Sequence, residues 1–176
     1  MNQPLAYVHP EAKIHPSVVI EPFVTIGPNV EIGEGTHIYS NVTIMEGARI
    51  GKNCNIYPGA VISGPPQDLK FKGEDTLAII GDNTVMAAQA GVAGSAKIGR
   101  QCMVGGQVGI VGHISLADGT QIGAQSGVSR ATKPGERIMG SPAVEMGEYA
   151  RGLVYAKRLG KLFEQVKTIE KEIKKP

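Results

Sequence analysis

The strongest constraint on the fold is an aliphatic residue that recurs at every sixth position along most of the chain. The series starts at Val8, pauses after Ile62, resumes at Ile80 and ends at Val128. Its members are Val8, Ile14, Ile20, Ile26, Ile32, Ile38, Ile44, Ile50, Ile56, Ile62, Ile80, Met86, Val92, Ile98, Val104, Ile110, Leu116, Ile122 and Val128. Aliphatic residues are only about a quarter of an average chain, so chance does not produce this series.

A period of six matches neither an α-helix nor the plain alternation of a hairpin sheet. It indicates a short strand and a corner that repeat, so that three units close one triangular turn of 18 residues. Stacked turns then pair their strands in parallel, about 4.8 Å apart, with the aliphatic column pointing inward. A second column of mostly small residues stands two positions earlier and should fill the corner beside it.

The composition fits this interpretation. The chain has 24 Gly, no Trp and 5% aromatic residues, which disfavours a core of bulky side chains. We expect glycine at the corners of the turns, where a positive φ carries no side-chain cost. Cys54 and Cys102 both fall in the small column, so we interpret them as buried small hydrophobic residues without disulfide or metal spacing.

One segment interrupts the repeat. Residues 64–75 read GPPQDLKFKGED, and their prolines and charges do not suit a packed core. Ile62 and Ile80 nevertheless stay in register, so the segment should be a loop that protrudes from an otherwise continuous solenoid. Long loops on a rigid scaffold often carry function.

The repeat predicts a β-solenoid of about six turns over residues 1–140 and a helical tail over residues 141–176. In the tail, six apolar residues follow the spacing of a heptad seam: Tyr155, Leu159, Leu162, Val166, Ile169 and Ile173. Fewer than three heptads, weakened by Gly152 and Gly160, do not make a strong isolated coiled coil. The tail could therefore fold back on the solenoid, or be held in an oligomer, which is the interpretation we prefer.

Charge and hydropathy exclude several classes of protein. The net charge is +2, and the basic residues concentrate after Arg151, where they could meet an acidic partner or simply form a solvated helix face. Nothing in the sequence points to nucleic acid. No apolar run is long enough to cross a membrane, and the first residues lack a signal-peptide pattern, so we expect a cytoplasmic protein.

The hexapeptide pattern resembles that of the left-handed β-helix acyltransferases of lipid A synthesis. Residues 1–84, with HPSVVIEPFVTIGPNVEIGEGTHI and PQDLKFKGEDT, resemble UDP-N-acetylglucosamine 3-O-acyltransferase. Residues 85–176, with AAQAGVAGSAKIGRQCMVGGQVGIVGHI and ERIMGSPAVE, resemble UDP-3-O-acyl-glucosamine N-acyltransferase. The resemblance implies an all-β parallel left-handed β-helix with a short C-terminal α-helical tail, built as a hybrid of two enzymes.

The resemblance also implies a chemistry. Such enzymes are homotrimers without a cofactor, and they transfer a hydroxyacyl chain from acyl carrier protein to a UDP-sugar at a site between subunits. A His acts as general base, and a backbone N–H holds the oxyanion. The matching oxyanion position is Gly94, but the position of the base is Thr76, and no His stands in the coil that follows IGDNT at 80–84.

His113 matches a second His of the N-acyltransferase site, and it is the remaining candidate base. We expect His9, His15 and His37 to be structural or solvent-facing, and their spacing does not suit the three-His zinc site found on some β-helices, so we predict no metal. In the loop, Gln67, Asp68 and Lys70 match sugar-nucleotide contacts of the O-acyltransferase, although a polar solvated loop would look the same.

Three functions therefore remain open. The first is a hybrid with little or no activity, because the His that should act as base is missing. The second is an active acyltransferase that uses His113. The third is a non-catalytic scaffold that binds acyl carrier protein or lipid, which the basic tail would favour.

Overall fold

The computed structural model describes residues 5–65 and 76–173. Within these residues, very short strands form three sheets that wrap one core as the three faces of a prism. Except at the C-terminal end of the prism, each strand pairs with the strand three places further along the chain, so that successive strands lie on successive faces. This is the parallel solenoid that the period of six predicts.

The strands divide among the three faces of the prism. Sheet A contains β1 (Tyr7–Val8), β4 (Thr25–Ile26), β7 (Thr43–Ile44), β10 (Val61–Gly64), β13 (Gly91–Ala93), β16 (Gly109–Ile110) and β19 (Gly127–Val128). Sheet B contains β2 (Lys13–Ile14), β5 (Glu31–Ile32), β8 (Ala48–Ile50), β11 (Ala78–Ile80), β14 (Lys97–Ile98) and β17 (Ser115–Leu116). Sheet C contains β3 (Val19–Ile20), β6 (His37–Ile38), β9 (Asn55–Ile56), β12 (Val85–Met86), β15 (Met103–Val104), β18 (Gln121–Ile122), β20 (Arg137–Met139) and β21 (Val144–Glu145).

The pairing continues across the insertion without a slip. Ile62 of β10 pairs with Val92 of β13, and Ile80 of β11 pairs with Ile50 of β8, as the aliphatic register requires. The solenoid has about seven turns, one more than expected from the sequence. The seventh turn begins at Val128, the last residue of the sixfold series, and the fully buried Ile138 continues it after a step longer than six residues, where it pairs with Ile122.

The inward column forms the core. Isoleucines such as Ile26, Ile44 and Ile62 expose none of their surface, whereas Val8 and Ile14 in the first turn are only partly covered. The small column packs beside them, and it includes the two cysteines, Cys54 and Cys102. Both thiols are buried and unpaired, as expected, and burial raises the pKa of each.

The expectation that glycine supplies the positive φ of the corners is only partly right. Most corner residues with positive φ are Asn, Gln, Ser or His, for example Asn53, Asn83 and Gln107. The glycines that directly follow inward residues are required for a different reason, because neighbouring turns approach each other closely there. A Cβ on Gly81 would lie 2.7 Å from the backbone N of Arg100, so only glycine fits there.

The tail is one long helix, α1 (Met146–Ile173). Residues 141–145 come before it, and β21 within them pairs antiparallel with β20. From Arg151 onward the helix residues whose burial is described are exposed, so the helix does not fold back on the prism. The division of the chain at residue 140 stays a prediction.

Candidate functional site

A groove of about 850 Å³ runs along the outside of sheet A in the later turns. Its floor consists of outward positions that carry glycine, namely Gly91, Gly109 and Gly127. A Cβ at Gly91 or Gly109 would meet nothing within 4 Å, so the missing side chains leave the groove open. Further lining comes mostly from apolar or small residues: Val61, Pro65, Val111, Val128, Ser129 and Pro142. Its shape and lining suit an extended apolar chain.

His113 lines this groove. It lies at the corner that follows β16, where its backbone has a φ of 61°, and its side chain is exposed. An imidazole that faces an apolar groove is a candidate for proton transfer, because its ring nitrogens can both accept and donate a proton. The structure therefore leaves His113 accessible from the groove, which is what the candidate role requires.

Thr76 and Gly94 lie together in the neighbouring turn, at the same edge of the prism. A Cβ built on Gly94 would be 2.8 Å from Thr76 Oγ1, so the two residues are in direct contact. The resemblance assigns this pair of positions to the base and the oxyanion donor. A threonine hydroxyl does not titrate near neutral pH, so Thr76 cannot do what a histidine would do there.

The N–H of Gly94 is already engaged. It donates to the carbonyl oxygen of Gly64, with an N···O distance of 2.8 Å. Nothing in the sequence pattern indicates this contact. It arises because β10 extends to Gly64 through Ser63, which has a φ of 62°, and the pairing with β13 is irregular at this point.

The other three histidines lie in the first two turns, several turns away from the groove. His9 Nδ1 accepts a hydrogen bond from the N–H of Glu11, and His15 Nδ1 lies 2.8 Å from Ser17 Oγ. His37 Nε2 lies 2.9 Å from Glu21 Oε1, and its ring stacks on Tyr39 with centroids 3.9 Å apart.

Glu21 also accepts hydrogen bonds from Ser40, and these, with His37, lower the pKa of its carboxyl group. Local contacts thus account for His9, His15 and His37.

The predicted loop contacts, Gln67, Asp68 and Lys70, lie outside the described residues. The described segments 5–65 and 76–173 contain no group of three or more His, Cys, Asp or Glu side chains placed to hold a metal ion. No helix among these residues is both long and apolar enough to span a membrane.

A second groove, of about 820 Å³, lies on sheet B between two ladders of alternating charge. Lys13 pairs with Glu31 on one side, and Lys52 pairs with Glu34 on the other. Because its charged groups largely neutralise each other, this groove has no evident preference for an anion or a cation.

Comparisons with known proteins agree with the geometry. The solved UDP-N-acetylglucosamine acyltransferase of Bacteroides fragilis superposes with a TM-score of 0.66 and 34% identity, over 86% of this chain and 78% of that one. The chain belongs to the hexapeptide-repeat β-helix acyltransferases. The left-handed winding implied by the resemblance is the winding of these relatives.

Curated members of the hexapeptide-repeat acyltransferases match parts of the chain. The UDP-3-O-acylglucosamine N-acyltransferase of Herminiimonas arsenicoxydans is 35% identical over 96 residues, which are 54% of this chain and 27% of that protein. The acyl-[acyl-carrier-protein]–UDP-N-acetylglucosamine O-acyltransferase of Thermodesulfovibrio yellowstonii is 42% identical over 52 residues, 30% of this chain and 20% of that one. The chain thus spans about a quarter of the length of these relatives.

A family model described as the GMPPB C-terminal domain also matches residues 2–64. That match covers the early turns, outside most of the groove.

The stripe of glycines on the outside of sheet A is one informative feature of this hexapeptide-repeat acyltransferase that the sequence analysis missed. The sequence does contain this pattern, because Gly91, Gly109 and Gly127 recur every 18 residues, each just before an inward aliphatic residue.

Proposed function

We propose that this chain is a hybrid of the two lipid A acyltransferases that binds an acyl group but transfers it slowly or not at all. The observation that carries the proposal is the contact between Thr76 and Gly94. Acyl transfer to a hydroxyl or an amine requires removal of a proton from the acceptor during attack on the thioester. A threonine at the position of the base removes that function and leaves the groove itself in place.

The acyl chain is proposed to lie in the groove on sheet A. The stripe of Gly91, Gly109 and Gly127 gives it a flat, apolar floor, and burial of a chain there is favourable by about 25 cal/mol per Å² of apolar surface. Acyl carrier protein is the proposed donor and a UDP-sugar the proposed acceptor, in the cytoplasm. These assignments follow the names of the curated relatives.

Assembly as a homotrimer is part of this proposal, and helix α1 supports it. All six seam residues are exposed in the single chain, from 45% for Val166 to 76% for Ile173. An exposed apolar stripe of this kind on a helix is stabilised when neighbouring copies cover it. The groove would then lie close to a neighbouring subunit.

The proposed binding of an acyl chain in the groove on sheet A can be tested with a Gly109→Leu variant. Because a Cβ at Gly109 points into open space, the leucine should leave the prism intact and fill the groove. Gln121→Leu, at an exposed outward position of sheet C, is the matched control. We expect acyl carrier protein loaded with a 3-hydroxyacyl chain to bind the wild type and Gln121→Leu but not Gly109→Leu; equal binding by all three would overturn the proposed location.

An active acyltransferase is the second candidate, and the position of His113 favours it. His113 is exposed at the groove and could accept the proton in place of the missing base. Formation of acylated UDP-sugar by the wild type, with its disappearance in His113→Ala, would establish this function in place of the first.

A non-catalytic scaffold for acyl carrier protein is the third candidate. The observation in its favour is that Lys157, Arg158 and Lys161 are exposed on α1. Binding of the acidic carrier protein that weakens with salt, and weakens again when these three charges are removed, would support it. No binding at low salt would exclude it.

A further inference from the structure

One backbone position at the edge of sheet A has an N–H that the solenoid does not need. It is the second residue after the inward aliphatic residue, and it is occupied by Pro10, Pro28, Glu46, Gly94, Gly112 and Arg130 in successive regular turns. Proline has no N–H, and Pro10 and Pro28 stand at this corner while their turns remain paired. The paired turns therefore do not depend on an N–H at this position, and such an N–H is available for a ligand unless another group of the protein binds it.

Gly94 and Gly112 occupy this position in two neighbouring turns of those that lie at the groove, and their N–H groups differ. The N–H of Gly94 donates to the carbonyl oxygen of Gly64, 2.8 Å away. For the N–H of Gly112, the described residues provide no hydrogen-bond partner. Gly112 also lines the groove, directly before His113, whereas Gly94 does not.

We propose that the N–H of Gly112, and not that of Gly94, binds the carbonyl oxygen of an acyl group in the groove. The inference rests on the proposed function, because it assumes that the groove holds an acyl chain. An N–H that is fixed by the backbone and free of a partner is suited to a carbonyl or an oxyanion, since no internal bond must break first. The carbonyl-binding position thereby moves by one turn, to the turn that carries His113.

The insertion after β10 explains why the proposed carbonyl-binding position is Gly112 and not Gly94. In a regular turn the strand ends before this corner, but β10 runs on through Ser63 to Gly64, and its last carbonyl meets the Gly94 N–H. The next turn contains no insertion, and although the carbonyl oxygen of Gly94 lies close to Gly112, the Gly112 N–H makes no hydrogen bond to it. A carbonyl held at Gly112 would also lie beside the imidazole of His113 and a turn further from Thr76.

Amide spectra of the ¹⁵N-labelled full chain can distinguish the two donors. The probe is a dodecanoyl-pantetheine thioester, and the readout is the ¹H–¹⁵N cross-peak of each glycine during titration. We expect the Gly112 peak to move downfield with the saturation of binding, while the Gly94 peak keeps its hydrogen-bonded position. Movement of the Gly94 peak alone, or of neither peak despite binding, would overturn the inference.

Two substitutions at Gly112 test the same donor by affinity. Gly112→Ala keeps the N–H and Gly112→Pro removes it, while both introduce a Cβ that would lie 2.8 Å from the Gly94 carbonyl oxygen. The shared crowding cancels in the comparison, and circular dichroism checks that both variants fold. We expect the proline variant to bind the thioester roughly five- to tenfold more weakly than the alanine variant, as for the loss of one hydrogen bond.

The outcomes separate the two proposals. If the wild type binds the thioester and the two variants bind equally, the Gly112 inference falls and the proposed function stands. If the wild type does not bind the thioester, the proposed function falls and this inference falls with it. If the proline variant does not fold, the titration of the wild-type amides still shows whether the Gly112 N–H or the Gly94 N–H binds the carbonyl oxygen.

Discussion

At the scale of single residues, close contact between turns matters more than conformational freedom. Gly99 illustrates the point, because a Cβ there would lie 2.6 Å from the backbone N of Asp118 in the next turn. Gly109, on the groove side, would place its Cβ in open space. The same residue type thus serves packing at one position and an open surface at the other.

This difference predicts opposite results for two alanine substitutions. Gly99→Ala should destabilise the protein by about 1–3 kcal/mol, because the added methyl group forces neighbouring turns apart. Gly109→Ala should change the free energy of unfolding by no more than about 0.5 kcal/mol. Urea unfolding of both variants measures the difference, and similar values for the two would contradict the packing role of Gly99.

The buried cysteines give a second prediction at this scale. Burial raises the pKa of Cys54 and Cys102, so little thiolate forms in the folded protein at about pH 8. We expect slow reaction of both thiols with a chromogenic disulfide reagent until the protein is unfolded in urea. Rapid reaction of either thiol in the native state would show that its turn opens more easily than the packing implies.

At the scale of elements, ion pairs connect consecutive turns along the edges of the prism. Asp118 accepts hydrogen bonds from the backbone N–H and the guanidinium group of Arg100, which lies one turn earlier. Those bonds, from the backbone first and the side chain next, lower the pKa of the Asp118 carboxyl group from its usual 3.8. The pair is exposed, so its contribution is sensitive to salt.

The lowered pKa predicts how stability depends on pH. A carboxyl group with a depressed pKa in the folded state stabilises the fold above its unfolded-state pKa, and it loses that contribution as the pH falls through the folded-state value. Between about pH 5 and pH 2, the free energy of unfolding should fall more steeply for the wild type than for Asp118→Asn. Parallel pH profiles would mean that the Asp118–Arg100 pair adds nothing measurable.

Helix α1 gives a prediction about assembly. A helix of 28 residues with few contacts to the prism is marginal in water, so its helicity should depend on the covering of its seam by other copies. Leu162→Asp, on the seam, should lower both the helical circular dichroism signal and the sedimentation coefficient. Leu153→Asp, an exposed residue off the seam, is the control; equal effects of the two would argue against the seam.

At the scale of the whole molecule, the prism is a one-dimensional stack in which each turn contacts only its neighbours. This explains how much of the fold can be predicted from the sequence. The inward column is visible directly, because every turn repeats the same burial. The insertion is visible as well, as an excess of 12 residues between Ile62 and Ile80 that preserves the register.

The candidate site was harder to predict, because its contacts form where the repeat is interrupted and not where it is regular. The bond from Gly94 to Gly64 depends on where β10 leaves the sheet, and no periodic pattern contains that information. The contact of Thr76 with Gly94 was implied only by the resemblance, and the loop positions Gln67, Asp68 and Lys70 remain predictions. The sixfold series ends at Val128 and does not predict the continuation of the last turn at Ile138, because Ile138 lies off the strict sixfold register.

The continuity of the prism can itself be tested by deletion of residues 64–75. Joining Ser63 to Thr76 restores the regular step of 18 residues between paired strands. Gly64 and Thr76 both lie close to Gly94, so the two ends of the deleted segment are near each other. We expect a deletion variant with unchanged far-ultraviolet circular dichroism and cooperative unfolding. Loss of cooperative unfolding would mean that the inserted residues are needed to hold the turns in register.

A single-turnover assay distinguishes an open groove that lacks a general base from a working enzyme. Acyl carrier protein carrying a radiolabelled 3-hydroxyacyl chain is mixed with excess protein and either UDP-N-acetylglucosamine or UDP-3-O-acyl-glucosamine. We predict that the label stays on the carrier protein with both acceptors, because Thr76 cannot remove the proton from the attacking group. Appearance of the label on either sugar at an enzymatic rate, and its loss in His113→Ala, would contradict the absence of a base.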